Sequence, residues 1–284
     1  MTAHTSDRKL GLSPKARRVM IPMLALALAT MIVGTLLTRG GGDDMAGPVV
    51  GDDLHVVGEL GDRLFVGGHG GASSRRITGR WTQIDTLDNK DVMGWAQSGG
   101  GILAGGHAGL YRSSDGSAFA AVPGLPVSDV HALGAADERV YLGSPAGVLV
   151  SDNGGRSFQR ATSAGQDLMG TIWVDPADPD VAIAPSMKSG AVKTTNGGAT
   201  WAPIGSLPGS MAVAVDGSGE QLVIIGMGGA ESSDDGGTTW STLDVPEGTS
   251  AATYTSKGDL VVATLSGDRA KVFRAVDGEW DSLT

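Results

Sequence analysis

A turn frame that returns about every 40 residues constrains this 284-residue chain more than any other feature. Its fullest copy is Ser233-Asp234-Asp235-Gly236-Gly237-Thr238-Thr239-Trp240, set between two short β-prone runs. Asp235 has the side chain to hydrogen-bond the backbone beside it, as an Asx-turn does. Gly236 and Gly237 supply the positive φ of a tight hairpin, and Trp240 opens the next strand with a ring that must be buried. The frame recurs at Thr194–Trp201, built on Asn196, and at Ser151–Phe158, built on Asn153. A copy one residue shorter, built on Asp115, ends at Phe119, and worn copies end at Trp81 and Trp280. The six aromatic anchors are spaced by 38, 39, 43, 39 and 40 residues. Four short strands per unit at that period predict the blades of a β-propeller.

At these residues the chain resembles the BNR/Asp-box repeat family, whose box reads Ser-x-Asp-x-Gly-x-Thr-Trp. Residues 48–284 carry the resemblance, and the earlier segments lie outside it. It implies an all-β, six-bladed propeller of four-stranded blades. It also implies a structural role for Asp115, Phe119, Asn153, Phe158, Asn196, Trp201, Asp235 and Trp240, because the family's box lies on a turn remote from the active face. The family holds sialidases beside many non-catalytic members. Sialidases of this kind use three arginines, a Tyr nucleophile paired with Glu, an acid/base Asp and an Arg-Ile-Pro stretch. Here the one Arg-Ile pair, Arg76-Ile77, is followed by Thr78 and falls in a worn box. Tyr141 lies in a strand, Tyr111 precedes Arg112, and Tyr254 has no evident Glu partner. A non-catalytic module is therefore the expectation, with a sialidase-like exo-glycosidase as the alternative.

Ahead of the repeats, residues 1–18 are polar and basic, and Val19–Thr38 is apolar and uncharged. That length suits a membrane-spanning helix, and the basic flank predicts that the rest of the chain stays outside the cytoplasm. Residues 39–47 read as a flexible tether. The expectation is a single-pass cell-membrane protein with an extracytoplasmic propeller. Secretion after signal cleavage near Ala27-Leu28-Ala29 is the second reading.

Charge narrows the partners. Six of the 21 basic residues but one of the 31 acidic residues precede residue 41, leaving 15 basic against 30 acidic in the remainder. Such a domain repels nucleic acid and attracts cations. The chain contains no cysteine, which excludes thiolate chemistry.

Aligning the repeats on strand B exposes a second pattern. The residue opening strand A reads His55, Met93, His131, Met169, Met211 and Ala252. Just after strand B come His69, His107, Pro145, Met187, Met227 and Ser266. Every histidine and methionine from residue 48 onward falls in these two slots. The start of A and the end of B share one edge of an antiparallel hairpin, so both slots ring one mouth of the channel, opposite the boxes. Asp53, Asp91, Asp129 and Asp167 stand two residues ahead of the A-strand slot. Imidazole and thioether under an acidic rim suit a soft or borderline metal, copper above all. In the plainer reading, the methionines fill core gaps and the Asp and His side chains serve turns. A glycan or protein ligand at the same mouth is the further expectation.

Overall fold

A computed structural model describes residues 47–162, 167–205 and 207–284. The expected membrane span at residues 19–38 and its basic flank lie outside the described residues. Among the described residues no helix is long and apolar enough to cross a membrane.

The chain forms six antiparallel blades in sequence order. Blade 1 is β1 (Leu54–Leu60), β2 (Arg63–Gly68), β3 (Gly71–Arg76) and β4 (Thr82–Gln83). Blade 2 is β5 (Gly94–Ser98), β6 (Gly101–Gly106), β7 (Gly109–Ser113) and β8 (Ala120–Ala121). Blade 3 is β9 (Ala132–Ala136), β10 (Arg139–Ser144), β11 (Gly147–Ser151) and β12 (Gln159–Arg160). The short β13 (Gly170–Thr171) pairs in parallel with β9 and leads into blade 4. Blade 4 is β14 (Trp173–Val174), β15 (Ala182–Ser186), β16 (Gly190–Thr194) and β17 (Ala202–Pro203). Blade 5 is β18 (Ser210–Val215), β19 (Leu222–Gly226), β20 (Gly229–Ser233) and β21 (Ser241–Thr242). Blade 6 is β22 (Thr249–Tyr254), β23 (Leu260–Ser266), β24 (Arg269–Val276) and β25 (Glu279–Ser282). The innermost strand A of a blade is thus β1, β5, β9, β14, β18 or β22.

The core is divided by blade interface. Six apolar clusters fill the six junctions. Phe65, Trp95 and Phe119 join blades 1 and 2, and Leu103, Leu133 and Leu149 join blades 2 and 3. Val66, Ala251 and Val261 close blade 6 onto blade 1. Strands buried on both faces explain why β6, β10 and β19 read as almost unbroken apolar runs. Closure requires no exchanged strand. Pro48-Val49-Val50 adds to blade 6, as its sequence position suggests: Val49 bridges Arg269, and the Ala270 amide donates to the Pro48 carbonyl at 2.9 Å.

The boxes lock the outer hairpins from strand C to strand D. In four of them one oxygen of Asp115, Asn153, Asn196 or Asp235 accepts from the hydroxyl two residues earlier. The same oxygen accepts a backbone N–H across the turn, from Ser117, Ser157, Thr200 or Thr239, at 2.8–2.9 Å. Gly236 and Gly237 have φ of 67° and 88°, a region that only glycine enters at no cost. Each full box also docks on the A–B turn of its own blade, the Gly154, Gly197 and Gly236 amides donating to Glu138, Asp180 and Glu220 carbonyls.

One expectation needs correction. Phe119 is buried, but Phe158, Trp201 and Trp240 are only half-buried. Strand D is the outermost strand, so its aromatic covers a blade edge and keeps one side in water. The indole of Trp240 donates to the Ile204 carbonyl of blade 4 at 2.7 Å, tying neighbouring blades together. The largest fully buried side chain is Trp95, on an inner strand outside the box frame.

Candidate metal centre

The start of strand A and the end of strand B meet as the hairpin geometry requires, and two local devices aim the side chains. The first is a bulge. In β1 the register shifts between Leu54 and Val56, leaving His55 as the extra residue, and a bulge re-aims such a side chain. Met211 and Ser250 occupy the same bulge in blades 5 and 6. The structural counterpart of His55 in blade 6 is therefore Ser250, not Ala252, because the bulge offsets an alignment made by counting residues.

The second device is the repeated Gly-Gly-His ending of β2 and β6, at residues 67–69 and 105–107. A Cβ at Gly68 would stand 2.0 Å from the Asp53 carbonyl, and one at Gly106 would stand 1.9 Å from the Asp91 carbonyl. Gly67 and Gly105 likewise admit Val92 and Val130 from the next blade. These missing side chains let residues 91 and 129 wedge between blades. The carboxylates of one blade thereby reach the imidazoles of two.

The result is a connected arc of His and Asp over blades 1 to 3. Asp91 Oδ1 lies 3.2 Å from His55 Nε2, and Asp91 Oδ2 lies 2.6 Å from His107 Nδ1. Asp129 Oδ1 lies 3.1 Å from His131 Nε2 and 3.8 Å from His107 Nε2. His55 Nδ1 is 4.0 Å from Asp53, and His69 Nδ1 is 3.4 Å from Asp52, an acid that sequence reading passed over. Asp52 directly precedes Asp53, and that doubling was the available signal. Three groups of potential ligands result: Asp53/His55/His69, His69/Asp91/His107 and His107/Asp129/His131, each with donor atoms within 4.8 Å of one another.

Polar satisfaction singles out the same atoms. His55 Nε2, both oxygens of Asp91 and Asp129 Oδ1 are buried without an aligned hydrogen-bond partner. Each still lies within 4 Å of an ionisable neighbour: His55 Nε2 and Asp91 Oδ1 of each other, Asp91 Oδ2 of His107, and Asp129 Oδ1 of His131 and His107. Buried polar atoms are ordinarily satisfied, so these four mark the arc as a candidate ligand site. Burial works against ionisation of Asp91. The close contact with His55 and the positive charges of His55, His107 and His69 outweigh it and hold the carboxyl below its ordinary range. His69 and His107 are half-exposed, so the arc opens to solvent.

The methionines of the two slots differ in burial. Met93 is packed in the core, whereas Met187 and Met227 are exposed. Met169 and Met211 are half-buried. Asp167 pairs with the Lys188 ammonium instead of an imidazole. The donors of the three groups are imidazole nitrogen and carboxylate oxygen, a borderline set.

The glycosidase features are dispersed. Arg76 pairs with Asp62 at the A–B turn, on the box face. Tyr141 donates to the Pro179 carbonyl at 2.6 Å, and burial pushes its phenol up to about 12. Tyr254 shares a cavity of about 500 Å³ with Glu59 and Trp173 on the box face, a proximity that sequence reading missed. The Glu59 carboxylate there accepts the Ser256 amide and hydroxyl.

No protein-family model matches the chain, and no curated protein does. Solved structures share its fold. A GH74 xyloglucanase from Xanthomonas campestris aligns at 15 % identity with a TM-score of 0.57, over 85 % of this chain and 46 % of that one. A chain of a nidogen/laminin complex aligns at 14 % identity and 0.61, over 78 % of this chain and 92 % of that one. The extracellular domain of a putative hybrid two-component system from B. thetaiotaomicron aligns at 15 % identity and 0.53, over 77 % and 32 %. This chain therefore spans about half or less of the xyloglucanase and two-component-system chains, and at these identities the likeness is one of fold.

Proposed function

We propose that this protein is a non-catalytic binding propeller that takes up a divalent transition metal at the His–Asp arc. The observation that carries the reading is the set of buried atoms on His55, Asp91 and Asp129 that lack a hydrogen-bond partner, each facing an imidazole or carboxylate of the arc. Imidazole and carboxylate suit borderline ions, and copper(II) stands highest among the divalent ions of the first row. The acidic domain concentrates cations at its surface.

The test is equilibrium dialysis of the chain against copper(II) and zinc, followed by elemental analysis. Retention of metal by the wild type, and loss of at least tenfold in affinity for the double variant His69→Ala/His107→Ala with its fold intact, is the expected result. Binding weakens on acidification, because imidazolium cannot ligate. Equal retention by the variant sinks the reading.

The same proposal places the propeller outside the cytoplasm on an N-terminal anchor, supported by the uncharged run at residues 19–38 and its basic flank. A reporter fused after Thr284 should be active only beyond the membrane. Cytoplasmic activity contradicts the topology. A glycosidase is the weaker alternative, since the Arg76 and Tyr254 features lie on the box face, away from the arc.

A further inference from the structure

Resting on that reading, the geometry points to a two-ion centre in which Asp91 bridges two divalent cations. The three ligand groups cannot all be filled at once, because the middle one borrows His69 and His107 from its neighbours. The outer two, Asp53/His55/His69 and His107/Asp129/His131, share no residue. Ring spacing separates them in the same way. The His55 and His69 centroids are 4.6 Å apart and those of His107 and His131 are 5.4 Å apart, while the step between the pairs, from His69 to His107, is 6.4 Å.

Asp91 sits at that step with one oxygen toward each side, Oδ1 against His55 and Oδ2 against His107. Its side chain is 10 % exposed and neither oxygen has an aligned hydrogen bond. A carboxylate whose two oxygens face imidazoles on opposite sides of the step is placed as a bridging ligand would be. Charge agrees. Two divalent cations carry four positive charges, and Asp52, Asp53, Asp91 and Asp129 line the arc with four negative ones. A single ion in the middle group would leave His55, His131, Asp53 and Asp129 unused.

The experiment titrates the full chain, stripped with chelator, with copper(II). It reads bound copper by elemental analysis and spin coupling by electron paramagnetic resonance. All samples carry His4→Ala, which leaves the four propeller histidines as the sole imidazoles. The proposal expects two copper ions per chain and an integrated signal well below two independent spins. His131→Ala, checked for folding by circular dichroism, should retain one ion with a full, uncoupled signal. Asp91→Asn should lose the coupling. One copper per wild-type chain, unchanged by His131→Ala, overturns the two-ion centre and leaves the single-ion reading standing. Two uncoupled ions overturn the bridge, and no bound copper overturns the metal reading itself.

Discussion

At the scale of single residues, the boxes show how one network tolerates two side chains. The second side-chain atom of Asp235 accepts the Thr239 hydroxyl at 2.7 Å, whereas Asn153 and Asn196 donate from that position to Ser157 and Thr200 at 2.8 Å. A hydroxyl can donate or accept, so either residue completes the loop. Asp235→Asn should therefore leave the unfolding midpoint at neutral pH unchanged, while Asp235→Ala lowers it; urea denaturation of both variants decides this. The Thr239 amide, then the Thr239 and Ser233 hydroxyls, hold the Asp235 carboxyl below its usual range. A depressed carboxylate contributes stability in full above its unfolded value, near 4, and loses it as pH falls through the folded value. The wild type should lose stability to acid faster than Asp235→Asn in that window. Parallel acid curves would contradict the role given to the carboxylate.

At the scale of elements, each outer hairpin is fastened twice, by its box and by its strand-D aromatic. Trp240 packs on the cluster between blades 4 and 5 and donates to Ile204. Its ring is only partly buried, so Trp240→Ala should cost about 2–4 kcal/mol, below the usual cost for a fully buried tryptophan. Trp95→Ala, at the junction of blades 1 and 2, should cost the fuller 3–5 kcal/mol. Chemical denaturation of both variants checks the order, and a costlier Trp240 would contradict it. Sequence made the blades legible because each repeat carries its own punctuation. In blade 3 the strand-forming runs Arg139-Val140-Tyr141-Leu142 and Gly147-Val148-Leu149-Val150 fall within β10 and β11. The slots at the rim were legible for the same reason, since they keep a fixed offset from strand B. The bulges at His55, Met211 and Ser250 were not, because an extra residue in a strand leaves no compositional mark. Nor was the sharing of Asp91 between blades, which depends on the space left by Gly67 and Gly106. Trp95 escaped notice because it belongs to no repeated frame.

At the scale of the whole molecule, the propeller holds six similar hairpins in a ring, so that turns distant in sequence face one another. Three neighbouring blades bring imidazoles and carboxylates to one arc, and blades 4 to 6 bring mainly methionine, serine and the Asp167–Lys188 pair. The metal reading is thus a claim about one side of one face. Solved structures of similar fold include a GH74 xyloglucanase and the extracellular domain of a putative hybrid two-component system, so architecture alone does not choose between chemistries. The arc does, if an ion occupies it. The most direct measurement is anomalous diffraction at the copper edge from crystals of the protein equilibrated with copper(II). The account predicts strong anomalous density within ligand distance, about 2 Å, of the nitrogens of His55, His69, His107 and His131. Density elsewhere on the surface, with none between these side chains, would contradict it.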